Sequence, residues 1–154
     1  MSKFSPDKIY KIYTEEEMLF FGKKIGKILK SELPKVIELI GDVGVGKTTL
    51  TRGIAKGLGI QDSVTSPSFT ISKQYTFDLL DNIKGILVHY DFYRLSDPGI
   101  MQEDLLDKIA LPNSITIVEW GQTVADLLPN TLTKITITLN DDESRTVAIH
   151  QGDQ

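Results

Sequence analysis

The chain has 154 residues, with 17 basic and 21 acidic side chains for a net charge of −4 at pH 7. That length fits one domain spanning 1–154, and 40% hydrophobic with 25% charged residues is the balance of a folded globule rather than a disordered chain. The absence of cysteine excludes disulfides, cysteine–zinc sites, iron–sulfur clusters and a cysteine nucleophile, and the mild acidity argues against a broad basic surface for nucleic acid.

Residues 1–13 carry only a short strand signal around Ile9 to Ile12. Thr14 and Glu17 have the spacing of a capping box, which predicts a helix start. Met18, Phe21, Ile25 and Ile28 then recur at helical spacing, and Gly22 and Gly26, four apart, offer a face for close packing before Pro34 ends the region. Val36 to Ile40 reads as a buried strand, followed by a Gly-rich run from Gly41 to Gly46 and a helix from Thr48 to about Leu58, closed by Gly57 and Gly59. Ser66-Pro67-Ser68 reads as a loop, Phe69 to Tyr75 as extended chain and Asp81-Asn82 as a turn. Gly85 to His89 is a second buried strand ending at Tyr90-Asp91, Pro98 to Ile109 a helix, and Ile115 to Val118 a third buried strand ending at Glu119-Trp120-Gly121. Leu132, Ile135, Ile137 and Leu139 alternate loosely with Thr133, Thr136 and Thr138, and Arg145 to Ile149 follows the Asn140–Ser144 turn as its hairpin partner. The pattern is α/β, a parallel core with antiparallel additions. No stretch reaches the length of a membrane span and no secretory signal opens the chain, so the expected location is cytoplasmic.

Gly41-Asp42-Val43-Gly44-Val45-Gly46-Lys47-Thr48 matches the phosphate-binding pattern of Gly, four residues, Gly-Lys-Thr, in the strand–loop–helix context the pattern requires. Glycines let the backbone turn several N–H groups toward one oxyanion, and the helix that follows adds the positive end of its dipole. Lys47 is a flexible charge able to reach β- and γ-phosphates, and Thr48 a hydroxyl able to meet Mg²⁺. Asp91 and Glu119 end two further buried strands, and ligands of open α/β sheets bind beyond such ends, so three strand ends converge on one crevice. Taken alone, either acid also reads as a solvated turn carboxylate.

The strings Gly41–Thr49, Ser66-Pro67-Ser68-Phe69-Thr70, His89-Tyr90-Asp91-Phe92-Tyr93-Arg94-Leu95 and Val118-Glu119-Trp120, in that order, resemble the TsaE (YjeE) family, bacterial ATPases of tRNA threonylcarbamoyladenosine synthesis. The resemblance runs from about residue 14 to 149; the Gly-rich loop is shared widely, while the other strings are more specific. It implies a P-loop NTPase-like three-layer fold with antiparallel strands added at the C-terminal end of a parallel core sheet. It implies ATP or ADP held by Gly41, Asp42, Val43, Gly44, Val45, Gly46, Lys47, Thr48 and Thr49, with Thr48 and Glu119 as Mg²⁺ ligands and Asp91 as a second acid near the metal and the γ-phosphate. Lys47, Asp91 and Glu119 carry catalysis in this reading; Glu15 and Arg145 match positions near the nucleotide, Trp120 lies beside the metal, and the Ser66–Thr70 loop matches a segment that senses the γ-phosphate. The implied partners are TsaD and TsaB, with tRNA held mainly by them. Between Asp97 and Asn113 the chain lacks a Leu-Gly pair that members often carry, which bears on partner contacts and not on the phosphate site.

Other residues have plainer readings. His89 reads as a hydrogen-bonded structural histidine on the face of Asp91, Phe92 and Tyr93 as packing residues, Arg94 as either a phosphate ligand or an ion-pair partner, and Asp141-Asp142-Glu143 as a solvated turn. Three other functions compete with an accessory ATPase. A small-molecule P-loop kinase would need an Arg-rich lid, and the basic residues are scattered. A GTPase would need Asn-Lys-x-Asp and Asp-x-x-Gly strings, which are absent. A nucleotide sensor without turnover stays open, because partners often complete such sites.

Overall fold

The computed structural model describes residues 7–67, 71–93, 99 and 101–152. β1 (Lys8–Ile12) leads into α1 (Glu15–Leu29), whose first turn is capped as the sequence predicts. The Glu17 N–H donates to Thr14 Oγ1 at 3.0 Å, and the Tyr13 N–H donates to Glu17 Oε2 at 2.8 Å. β2 (Lys35–Ile40) runs into the Gly-rich loop and α2 (Lys47–Gly57). β3 (Ser72–Asp78) and β4 (Lys84–Asp91) form a hairpin whose turn holds Asp81 and Asn82 at φ 62° and 60°, the left-handed conformation these residue types tolerate. The expected start of this extended run at Phe69 lies outside the described residues, and the strand continues three residues beyond Tyr75. α3 (Met101–Ala110), β5 (Ser114–Glu119), a 3₁₀ segment (Gly121–Leu127), β6 (Thr133–Leu139) and β7 (Arg145–Gln151) complete the chain.

The seven strands among the described residues join one sheet in the order β1-β7-β6-β2-β5-β4-β3. β6, β2, β5 and β4 are mutually parallel, while β7 and β1 on one side and β3 on the other pair antiparallel. β6 and β7 form the expected hairpin, yet β6 also pairs parallel with β2 and so belongs to the core. The sheet separates two apolar layers. Met18, Ile25, Leu29, Leu50, Ile54 and Leu58 of α1 and α2 cover Ile37, Leu39, Leu87, Ile115 and Ile117 on one face. Leu105 of α3 and Val124 and Leu128 after β5 cover Val36, Val88, Tyr90 and Val118 on the other. This is the three-layer arrangement that α/β sheets need to bury both faces.

Gly57 is the last residue of α2 and faces Gly26 of α1, and Gly59 at φ +88° makes the left-handed exit, as the sequence predicts. A Cβ at Gly22 would stand 2.5 Å from the Leu50 carbonyl, so the two helices meet backbone to backbone. Thr133 does not face away from Ile135 and Ile137: with a period of two it shares their face, and it is buried at 1% exposure.

Candidate functional site

The connection after β2 passes to α2 on one face of the sheet, and the connection after β5 passes to the 3₁₀ segment on the other. β2 and β5 are neighbours, so their carboxyl ends splay open where the chain changes face, the crevice in which α/β folds bind ligands. Gly41 leaves β2 at this point, and the loop turns through Gly44 at φ +80° and Gly46 at φ +122° into α2. A Cβ at Gly41 would come within 2.7 Å of the Ile137 carbonyl, so the loop lies directly on β6.

Lys47 opens α2 and is buried, its Nζ donating to the Gly41 carbonyl at 2.5 Å. The same Nζ stands 3.7 Å from Glu119 Oε1 and 4.3 Å from the centre of the Trp120 ring. Thr48 follows, half-buried, in the first turn of the helix. Glu119 is register-paired with Leu39 of β2 and with Asp91 of β4, which brings both acids to the level of the loop. The second Glu119 oxygen is engaged by His89 Nε2 at 2.5 Å. Asp91 Oδ1 accepts from the Tyr93 N–H at 2.9 Å, and the Asp91 N–H donates to the Ile71 carbonyl at 2.8 Å. Trp120 adopts φ 56°, ψ 49°, and its ring meets Tyr93 at 4.8 Å between centroids. Tyr93 is thus half-exposed against Trp120 rather than packed inside, whereas Phe92 is buried as expected.

On the other side of the loop a cavity of about 380 Å³ is lined by Thr14, Glu15, Met18, Gly44, Val45, Gly46, Thr49 and Arg145. Arg145 Nε donates to the Val45 carbonyl at 3.2 Å and its Nη1 to the Glu143 carbonyl at 2.8 Å, tying the β6–β7 turn to the loop. Asp42 and Val43 sit exposed at the loop's tip. The structure places Glu15 and Arg145 at the cavity and Lys47, Thr48, Asp91, Glu119 and Trp120 around the loop and the strand ends. Arg94 and Ser68 to Thr70 lie outside the described residues. Thr14 and Met18 were not singled out for the site; the capping box and the helical spacing one turn later are the signals that could have placed them.

The acidic turn is exposed but not merely solvated. Asp142 accepts from the Ser144 N–H and hydroxyl and pairs with Lys11 at 3.2 Å, and these contacts hold its carboxyl down to about 2. Beneath the site, burial and a hydrogen bond to Asp104 push the Tyr90 hydroxyl well above its ordinary range, so it stays a neutral donor linking β4 to α3.

Oxygen donors on Thr48, Asp91 and Glu119 are of the type that suits a small hard cation, and the described residues contain no group of three or more His, Asp or Glu ligands that would form an all-protein metal cage. The sequence profile described as Threonylcarbamoyl adenosine biosynthesis protein TsaE matches residues 12–147. The chain belongs to the TsaE family. Among relatives, the tRNA threonylcarbamoyladenosine biosynthesis protein TsaE of Haemophilus influenzae is 37% identical over 132 residues, covering 83% of this chain and 80% of that one. The TsaE of a Nostoc strain is 32% identical over 148 residues, 93% of this chain and 86% of its own. The crystal structure of Bacillus subtilis YdiB superposes with a TM-score of 0.71 at 28% identity, covering 98% of this chain and 90% of that one. Membership places the TsaE-family chain in tRNA threonylcarbamoyladenosine biosynthesis. No helix among its described residues is long and apolar enough to cross a membrane.

Proposed function

We propose that this TsaE-family chain is an ATPase that binds ATP with Mg²⁺ at the Gly41–Thr48 loop and acts, in the cytoplasm, as an accessory factor to TsaD and TsaB in tRNA modification. The observation that carries the reading is the meeting of Lys47 with Glu119, whose register partner is Asp91, at the carboxyl end of the sheet.

In this reading the loop's N–H groups and the start of α2 hold the phosphates, and the cavity bounded by Glu15, Met18 and Arg145 receives the nucleoside. Lys47, resting on the Gly41 carbonyl and Glu119, exchanges those contacts for phosphate oxygens. Thr48 and Glu119 would hold Mg²⁺, which when bound supplies charge neutralisation at the phosphates. Asp91, kept at the crevice by the Tyr93 N–H, orients water or developing charge beside the γ-phosphate. Trp120, backed by Tyr93, covers the lysine and limits the access of solvent.

Calorimetric titration with an ATP analogue, with and without Mg²⁺, tests the binding. Phosphate release with and without TsaD and TsaB tests the turnover. No binding rejects the reading; binding without release in the complete mixture leaves a nucleotide sensor; phosphate appearing on an added metabolite turns it to a kinase.

A further inference from the structure

His89 sits on β4 with no exposed surface, two residues before Asp91, paired with Ile117 of β5, itself two residues before Glu119. Strand side chains two apart share a face, so His89, Asp91 and Glu119 project together toward the α2 side of the sheet. The two Glu119 oxygens are divided between two partners: Oε2 meets His89 Nε2 at 2.5 Å, and Oε1 faces Lys47 Nζ at 3.7 Å. The other ring nitrogen, His89 Nδ1, is buried without a hydrogen-bond partner among the described residues. Burying an unpartnered polar atom is unfavourable, and an apolar ring of the same size would fill the position without one. What the imidazole offers that such a ring lacks is its one bond to Glu119.

We propose that His89 is a positioning residue for Glu119. A carboxylate only accepts hydrogen bonds, so the hydrogen of this bond sits on Nε2. The bond pins Oε2 and with it the plane of the carboxylate. Oε1 is left as the single oxygen presented toward the loop, and Glu119 is kept from turning both oxygens onto Lys47. The inference rests on the reading of Glu119 as a Mg²⁺ ligand, since hydrogen bonds that orient ligating carboxylates set metal affinity.

The test titrates a non-hydrolysable ATP analogue into the full chain at rising MgCl₂ and in EDTA, for the wild type, His89→Phe and His89→Gln. Phenylalanine keeps the ring and removes the donor; glutamine returns an N–H near the position of Nε2. The Mg²⁺ concentration that half-maximally tightens binding should rise about tenfold or more in His89→Phe and return to within roughly threefold of wild type in His89→Gln. Binding in EDTA should be alike in all three. A histidine that serves packing alone would leave the Mg²⁺ midpoint of His89→Phe in place whatever its unfolding temperature, which overturns the proposal. If His89→Phe does not fold, imidazole nitrogen NMR of the wild type decides, with only two histidines to assign. The Nε2–H tautomer at His89 supports the proposal and the Nδ1–H tautomer overturns it. A wild type that binds no analogue at any Mg²⁺ concentration overturns the nucleotide reading and this inference with it, whereas a binding wild type with an unshifted His89→Phe overturns this inference alone.

Discussion

Asp91 and Glu119 are register partners at the carboxyl ends of adjacent parallel strands, and the Phe92 N–H donates to the Glu119 carbonyl at 3.0 Å, extending the ladder one residue past β4. The two acids share a level and a face but not their surroundings. Glu119 is flanked by Lys47 and His89, whereas Asp91 receives the Tyr93 N–H and stands nearer the segment around Ile71. In the proposed reading these surroundings divide the labour, with Glu119 at the metal and Asp91 at the reacting end.

Asp91→Asn keeps the acceptor for Tyr93 and the side-chain volume while removing the charge. Phosphate release in the presence of partners should fall at least about tenfold, with ATP affinity changed by less than roughly threefold, because the charge acts on the transition state more than on the bound nucleotide. Single-turnover release and calorimetry measure the two quantities, and wild-type release would remove Asp91 from the chemistry.

Lys47→Ala should weaken ATP binding by roughly ten- to a hundredfold, the worth of one charge-assisted hydrogen bond of about 1.5–3 kcal/mol. Alanine suits the first turn of a helix, so far-UV circular dichroism should be unchanged. Unaltered affinity in the folded variant would contradict the assignment of the loop.

The contact between Lys47 and Trp120 supplies an optical readout, because Trp120 is the only tryptophan in the chain. Drawing the ammonium from the ring to the phosphates changes the field at the indole, so emission should shift saturably with Mg²⁺ and ATP. The shift should vanish in Lys47→Ala. A nucleotide-dependent shift of equal size in that variant would show that the lysine does not move.

Gly26→Ala probes how α1 is held. The new Cβ would collide with the Ile54 carbonyl and stand 3.0 Å from Gly57 Cα, both backbone and unable to yield cheaply. Overpacking of this kind costs about 1–3 kcal/mol, a fall of several degrees in unfolding temperature for a chain of this size. Because α1 carries Glu15 and Met18 to the cavity, affinity for the nucleoside should fall as well. A variant as stable as wild type would mean that the helices separate freely.

What the sequence makes legible is what local spacing encodes. The loop announces itself because its glycines, Lys47 and Thr48 are consecutive, and Thr14 with Glu17 marks the cap because the bond spans three residues. The strand-end acids are legible for a similar reason, each closing its own apolar run. The bond between His89 and Glu119 spans 30 residues and depends on the β4–β5 register, which no local pattern states. Gly57 reads only as a helix stop until α1 is laid across it, and β6 reads only as half of a hairpin until β2 pairs along its other edge.

The segment between α2 and β3 should respond to the state of the nucleotide. Its described ends are tied to the site by a short relay: the Ile71 N–H donates to the Pro67 carbonyl at 2.7 Å, and the Ile71 carbonyl accepts from the Asp91 N–H at 2.8 Å. Ile71 stands at φ 68°, an unfavourable conformation for a β-branched residue that the surrounding bonds must sustain. Upstream, Arg52 of α2 donates to the Val64 carbonyl at 3.4 Å, so both flanks rest on elements that meet the nucleotide in the proposed reading. In the proposed reading a γ-phosphate beside Asp91 would draw on the hydroxyls of Thr65 and Ser66, and loss of that phosphate would release them. Hydrogen exchange across residues 63–72 should therefore be slower with an ATP analogue than with ADP, partners present, and partner affinity should differ between the two states. Ser66→Ala should shrink both differences. Identical protection and identical partner affinity in the two nucleotide states would make the segment a plain connector and take the switch out of the mechanism.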